Sequence, residues 1–130
     1  MKILAFFIAL ACLIGLHTLL AWQVSLLAPI AFAWFFPDRA VRWTTLQMVL
    51  AWGGMIIAST MLAPDETARM LAAVFGILSR LPIETGDKLS WLLPVASIIF
   101  AVILGALCGW FGASLRRSLR PIEAAETLPS

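Results

Sequence analysis

The chain sets long apolar runs between short polar ones. Three stretches, 3–37, 43–64 and 89–115, contain no Asp, Glu, Lys or Arg. A continuous apolar run of about 18 residues or more is long enough to cross a bilayer as a helix. Two of the runs fit one crossing each. The first predicted span, 44–63, follows the polar turn Pro37-Asp38-Arg39 and stops at Pro64. The other, 89–113, has Asp87 as an N-cap, tolerates Pro94 early in the helix and closes at Arg116-Arg117. Trp91 and Trp110 in this run are nineteen residues apart, about 28 Å of helix, which matches the separation of the two interfacial aromatic belts.

The 3–36 stretch is too long for one crossing. As one helix it would reach about 50 Å against a hydrocarbon core of about 30 Å, a tilt of about 53° where about 0–40° is usual. Its polar residues His17, Thr18, Gln23 and Ser25 cluster in the middle, beside Gly15 and Trp22. The pattern predicts a helical hairpin with spans at 3–18 and 20–36, the second kinked at Pro29. The alternative is one long kinked helix, which lowers the span count from four to three.

Between Pro64 and Leu89 the period changes. Met70, Leu71, Val74, Phe75, Leu78 and Leu81 recur at spacings of three and four, and Arg69, Ala73, Gly76 and Arg80 line the other side. Asp65, Glu66 and Thr67 supply a cap and an acidic first turn, and Pro82 ends the pattern. This predicts an amphipathic helix at about 66–81, lying at the membrane interface with Arg69 and Arg80 towards headgroups. A lid over a cavity and a partner-binding helix are the other readings.

The expected fold is therefore an all-α integral membrane protein, a small bundle of four transmembrane helices (alternative: three) plus one interfacial helix. Residues 1–115 form one helical domain and 116–130 a short disordered cytoplasmic tail. Composition agrees: 62% of residues are hydrophobic and 12% charged, where a soluble domain carries about a quarter charged. That excludes a soluble enzyme, and a net charge of +2 gives no footprint for nucleic acid. With the hairpin, Lys2, Arg39, Arg42, Arg116, Arg117 and Arg120 share one side, and Arg69, Arg80 and Lys88 the other. The positive-inside rule then places both termini in the cytoplasm at the cell inner membrane. The apolar run after Lys2 exceeds a signal-peptide core of about 7–15 residues, so the N-terminus is read as part of the mature chain. Cys12 and Cys108 read as small apolar packing residues.

One motif stands out. Ser97, Ala101, Gly105, Gly109 and Ala113 are each four apart, a small-residue ridge of the kind that lets helix backbones approach closely in lipid. Gly54 and Ala58 form a shorter ridge and are the expected internal partner; another protein is the alternative. Arg39, Arg42, Arg116, Arg117 and Arg120 set topology and can meet anionic headgroups. The predicted spans hold no ionisable coupling charge, only Gln47, Ser59 and Thr60 as polar groups of the third. The sequence also lacks a nucleophile-base pair, a phosphate loop and a His/Cys metal spacing, so no cofactor or metal is expected for His17 or the carboxylates. The functional expectation is a small non-enzymatic subunit or accessory protein of an inner-membrane assembly, partnered by the lipid bilayer and a membrane protein or a second copy. The alternatives are a carrier or pore for a small neutral or apolar solute, and a holin-type permeabilising protein.

Overall fold

A computed structural model describes residues 1–20, 22–79 and 91–126, all-helical with no strand among them. The helices are α1 (Lys2–Leu19), α2 (Trp22–Ser25), α3 (Leu27–Phe35), α4 (Ala40–Leu62), α5 (Pro64–Ser79) and α6 (Leu92–Glu126). Three are long and apolar enough to cross a membrane: α1, α4 and the Leu92–Leu119 part of α6. The chain divides into two compact units, Met1–Ala51 with Val102–Ser130, and Trp52–Ala101.

In the first unit, α1 packs against α2 and α3. The Lys2 ammonium lies 3.2 Å from the Asp38 carboxylate. A continuous helix would hold those two residues about 54 Å apart, so the chain doubles back here, and Gln23–Phe35 forms a shorter apolar helix than the three of membrane length. At the fold-back, Leu20 leaves helical geometry (φ −118°, ψ −86°) while its N–H still bonds the Leu16 carbonyl. The second half of the hairpin is interrupted at Leu26, a stronger break than the kink expected within 20–36. Pro29 has no N–H to offer the Ser25 carbonyl four residues back, so the helical ladder stops there. Leu26 bonds Gln23 instead, and the ladder resumes with Ile30 on Leu26.

α3 gives way to a tight turn in which the Ala40 N–H bonds the Pro37 carbonyl at 3.2 Å. Arg39 sits there at φ 56°, alone among the described non-glycine residues in having positive φ. Positive φ at the third position only is type II geometry, which glycine suits best. α4 starts directly after, four residues earlier than predicted. The unit closes around Phe6, whose ring meets Phe32 at 6.2 Å and Trp43 at 5.5 Å, edge to face. One α1 side chain thereby holds α3 and α4.

In the second unit, Trp52 and Phe100 lie 5.8 Å apart. Pro64, expected to end α4, also opens α5, since a first-turn residue has no intrahelical use for an N–H. The Thr67 hydroxyl donates to the Ser59 carbonyl at 3.0 Å. Eight residues of straight helix span about 12 Å, so the chain bends sharply at the junction and the hydroxyl ties the bend. Ala72 is buried and Leu71 and Gly76 are half-buried, whereas Met70, Val74 and Ile77 are exposed. The inward face is thus centred on Ala72, and the exposed Met70 and Val74 belong to the apolar stripe expected to lie against the membrane. The Phe75 and Leu78 side chains, with Arg80, Leu81, Pro82 and Asp87, lie outside the described residues.

α6 continues to Glu126, through most of the 116–130 segment expected to be disordered. Pro121 is the only proline between Arg116 and Glu126, and Arg, Leu, Ala and Glu are strong helix formers.

Candidate functional site

In the first unit α4 and α6 run antiparallel and meet along a close seam. Gly105 faces Thr44 and Thr45, and Gly109 faces Val41 and Thr44. A Cβ on Gly105 would stand 2.5 Å from the Thr45 Cα and 2.9 Å from the Thr44 carbonyl oxygen. On Gly109 it would stand 2.5 Å from the Val41 Cα and 2.7 Å from its nitrogen, with the Thr44 hydroxyl nearer still. Apart from the Thr44 hydroxyl these are backbone atoms, which cannot swing aside. Gly112 performs the same office against α3: a Cβ there would stand 2.6 Å from the Ile30 carbonyl oxygen and 2.7 Å from the Ala33 Cβ.

Glycine alone permits the approach, and a hydrogen bond fastens it. The Thr44 hydroxyl, fully buried, reaches the Gly105 carbonyl oxygen at 2.6 Å. It also lies 2.9 Å from the Ala40 and 3.2 Å from the Val41 carbonyl of its own helix. One proton serves one of these best, and the interhelical acceptor is nearest. The neighbouring Gln47 ties α4 to α1 by donating Nε2 to the Phe6 carbonyl at 3.3 Å, but its Oε1 is buried with no hydrogen-bond partner among the described residues. The two polar groups should therefore respond oppositely to isosteric replacement. Thr44→Val is expected to lose about 0.6–1.7 kcal/mol, the range found for hydrogen bonds between transmembrane helices. Gln47→Met keeps the volume, removes the orphaned acceptor and is expected to leave stability unchanged or higher. Chemical denaturation in detergent, followed by helical circular dichroism, reads both.

The other ridge residues are placed differently. Ala113 is buried with Ala33 and Ala40. Ser97 and Ala101 belong to the second unit, half-buried and fully buried. Gly54 and Ala58, expected to receive the ridge, are exposed, and a Cβ on Gly54 would meet nothing within 4 Å. The antiparallel register brings Gly105 and Gly109 to the first turns of α4 instead. In the second unit it is Gly53, beside Ile98, that faces α6.

No family model, curated protein or solved structure matches this chain.

The basic residues of the first unit gather at one end, with unequal employment. Lys2 is paired with Asp38. Arg116 donates one guanidinium nitrogen to the carbonyls of Trp34, at 3.0 Å, and Phe35, at 2.9 Å, closing the C-terminus of α3. Sequence reading gave Arg116 the same topological role as its neighbours; a backbone acceptor 81 residues away leaves no trace in the side-chain pattern. Arg39, Arg42 and Arg117 are exposed and carry no hydrogen bond or ion pair to the described residues. The Arg120 side chain lies outside the described residues. On α5, Arg69 is exposed beside Met70. Among the described residues no three His, Cys, Asp or Glu side chains converge as metal ligands. Cys12, exposed, and Cys108, buried, are free thiols.

Proposed function

We propose that the chain is a four-span inner-membrane protein with cytoplasmic termini, and that it serves as a small non-enzymatic subunit or accessory protein of a larger membrane assembly. The span count is supported by the doubled-back hairpin, in which Lys2 and Asp38 meet at one end. With Gln23–Phe35 as a short crossing, every cation of that end lies on one side. The observation that carries the subunit reading is the open Gly54–Ala58 ridge. The glycines of α6 in the first unit are taken up internally, whereas this ridge of the same type stands exposed on α4. The outward Met70, Val74 and Ile77 of α5 offer a second apolar surface in the same unit.

Extraction from native membranes in mild detergent is expected to bring a partner, either another protein or a second copy, in fixed stoichiometry. The double variant Gly54→Leu with Ala58→Leu should release it without loss of helix. Recovery of a solitary monomer, with no partner captured by prior crosslinking, contradicts the reading.

A carrier for an apolar solute is favoured by one feature. An apolar groove of about 440 Å³ runs between Gly53, Ile56 and Ile57 of α4 and Pro94, Val95 and Ile98 of α6. Solute exchange by reconstituted vesicles, slowed by Gly53→Leu, would support it; vesicles silent over a broad solute panel count against it.

A further inference from the structure

We propose that Arg39, Arg42 and Arg117 form a cradle for the phosphate of an anionic phospholipid headgroup, an inference that rests on the membrane reading above. The seam supplies the placement. Along α6, Gly109 meets Val41 and Ala113 shares a buried cluster with Ala40. The next turn of α6 carries Arg117, and the residue before Ala40 is Arg39, so the same register brings Arg117 to the Pro37–Ala40 turn. Arg42 follows one helical turn after Arg39.

The neighbours narrow the choice of ligand. Lys2 answers Asp38, and Arg116 answers the end of α3. That leaves three exposed guanidinium groups of like charge with no acceptor among the described residues. Such groups repel one another unless an anion sits among them, and the planar guanidinium fork fits phosphate oxygens two at a time. Apolar side chains are exposed close by in sequence: Phe35 at 68%, Val41 at 44% and Leu115 at 38%. Arginines with exposed apolar neighbours suit an amphiphile with a phosphate head better than a free anion or an acidic peptide, which would leave the apolar surface uncovered.

Arg39 gives an independent sign. Its backbone is held at φ 56°, in a turn position that glycine occupies without strain. A long charged residue kept at such a position is explained by its side chain, not by the turn.

The test compares binding of phosphatidylglycerol and phosphatidylcholine to the full chain in neutral detergent by native mass spectrometry. The wild-type chain is expected to prefer phosphatidylglycerol by about tenfold or more, since each basic residue near an anionic surface contributes about fivefold. Arg39→Gly combined with Arg42→Gln and Arg117→Gln should reduce the preference to less than about twofold. Arg39→Gly alone separates the roles: preference falls while the unfolding midpoint in phosphatidylcholine nanodiscs stays level or rises, because the turn relaxes. A lipid preference unchanged in Arg39→Gly and in the triple variant overturns the proposal. So does complete displacement of phosphatidylglycerol by millimolar inorganic phosphate, which would mark a free-anion site. Flotation of the wild-type chain with pure phosphatidylcholine vesicles is the separate arm. Failure to float removes the membrane reading itself; flotation without an anionic preference removes only the cradle.

Discussion

Gly109→Leu is expected to destroy the α4–α6 seam. Its first side-chain carbon alone would fall 2.5 Å from the Val41 Cα, about 1 Å inside ordinary van der Waals contact, before the rest of leucine is added. Overpacking that side chains can absorb costs about 1–3 kcal/mol. Here the obstruction is the Val41 backbone together with the Thr44 hydroxyl, so the helices must separate, and separation also breaks the 2.6 Å bond from Thr44 to Gly105. The expected loss is at least about 3 kcal/mol, and even Gly109→Ala should lose about half of that. Two readouts check it. The thermal midpoint in detergent should collapse, and Cys108, only 5% exposed beside the seam, should become reactive to maleimide in a Cys12→Ala background. Gly54→Leu is the matched control. It adds the same side chain where a Cβ meets nothing within 4 Å, and is expected to change stability by less than about 0.5 kcal/mol. Equal midpoints for the two variants, with Cys108 still protected, would mean that the seam does not hold the fold.

The ridge of α6 illustrates how far sequence reaches. A period of four finds Gly105 and Gly109, because close helix contact needs small residues on one stripe, whatever the partner. It does not find the partner. The partner is set by antiparallel register, and register depends on how the hairpin and turn bring α4 alongside, which no local pattern states. Gly54 and Ala58 have the right composition at the wrong height. Gly112 escapes a strict four-residue period but is three residues after Gly109, so admitting the i+3 step of a helix would have included it. Thr44 is less legible still: a threonine in an apolar helix usually bonds its own preceding turn, and here the decisive acceptor is 61 residues away.

The membrane-length helices were legible for the opposite reason. Freedom from charge is a property of each segment by itself, and the hairpin followed from a conflict of lengths that needs no knowledge of tertiary contacts. The interruption at Leu26 is intermediate. Pro29 announces a lost bond, but whether a helix bends or parts depends on what packs around Ser25 and Pro29, both buried in the fold. On α5 the pattern marked Met70 and Val74 as one apolar face, and both are exposed; the tie of Thr67 to Ser59 across the bend has no local signature.

Arg116→Gln is expected to be the most damaging change among the arginines, by about 2–3 kcal/mol, although Arg39, Arg42, Arg116, Arg117 and Arg120 look alike in sequence. α3 ends with Phe36 bonded back to Phe32, and from the next residue Pro37 and the turn divert the chain, so Trp34 and Phe35 lose the donors a longer helix would provide. One guanidinium reaches both oxygens, at 3.0 Å and 2.9 Å, and its charge sits favourably at the negative end of the helix dipole. Without it, two carbonyls are left at a half-buried helix end, where water or headgroups replace the bonds only in part. Arg116→Lys should recover less than half of the loss, because a single flexible ammonium lacks the rigid planar geometry that holds both contacts. Arg117→Gln, one residue along and exposed, should leave the unfolding midpoint within about 0.5 kcal/mol of wild type while weakening anionic-lipid preference. The pair thus divides stability from lipid recognition between adjacent residues. Equal midpoints for Arg116→Gln and Arg117→Gln would show that the cap on α3 contributes nothing, and that the basic end acts through charge alone.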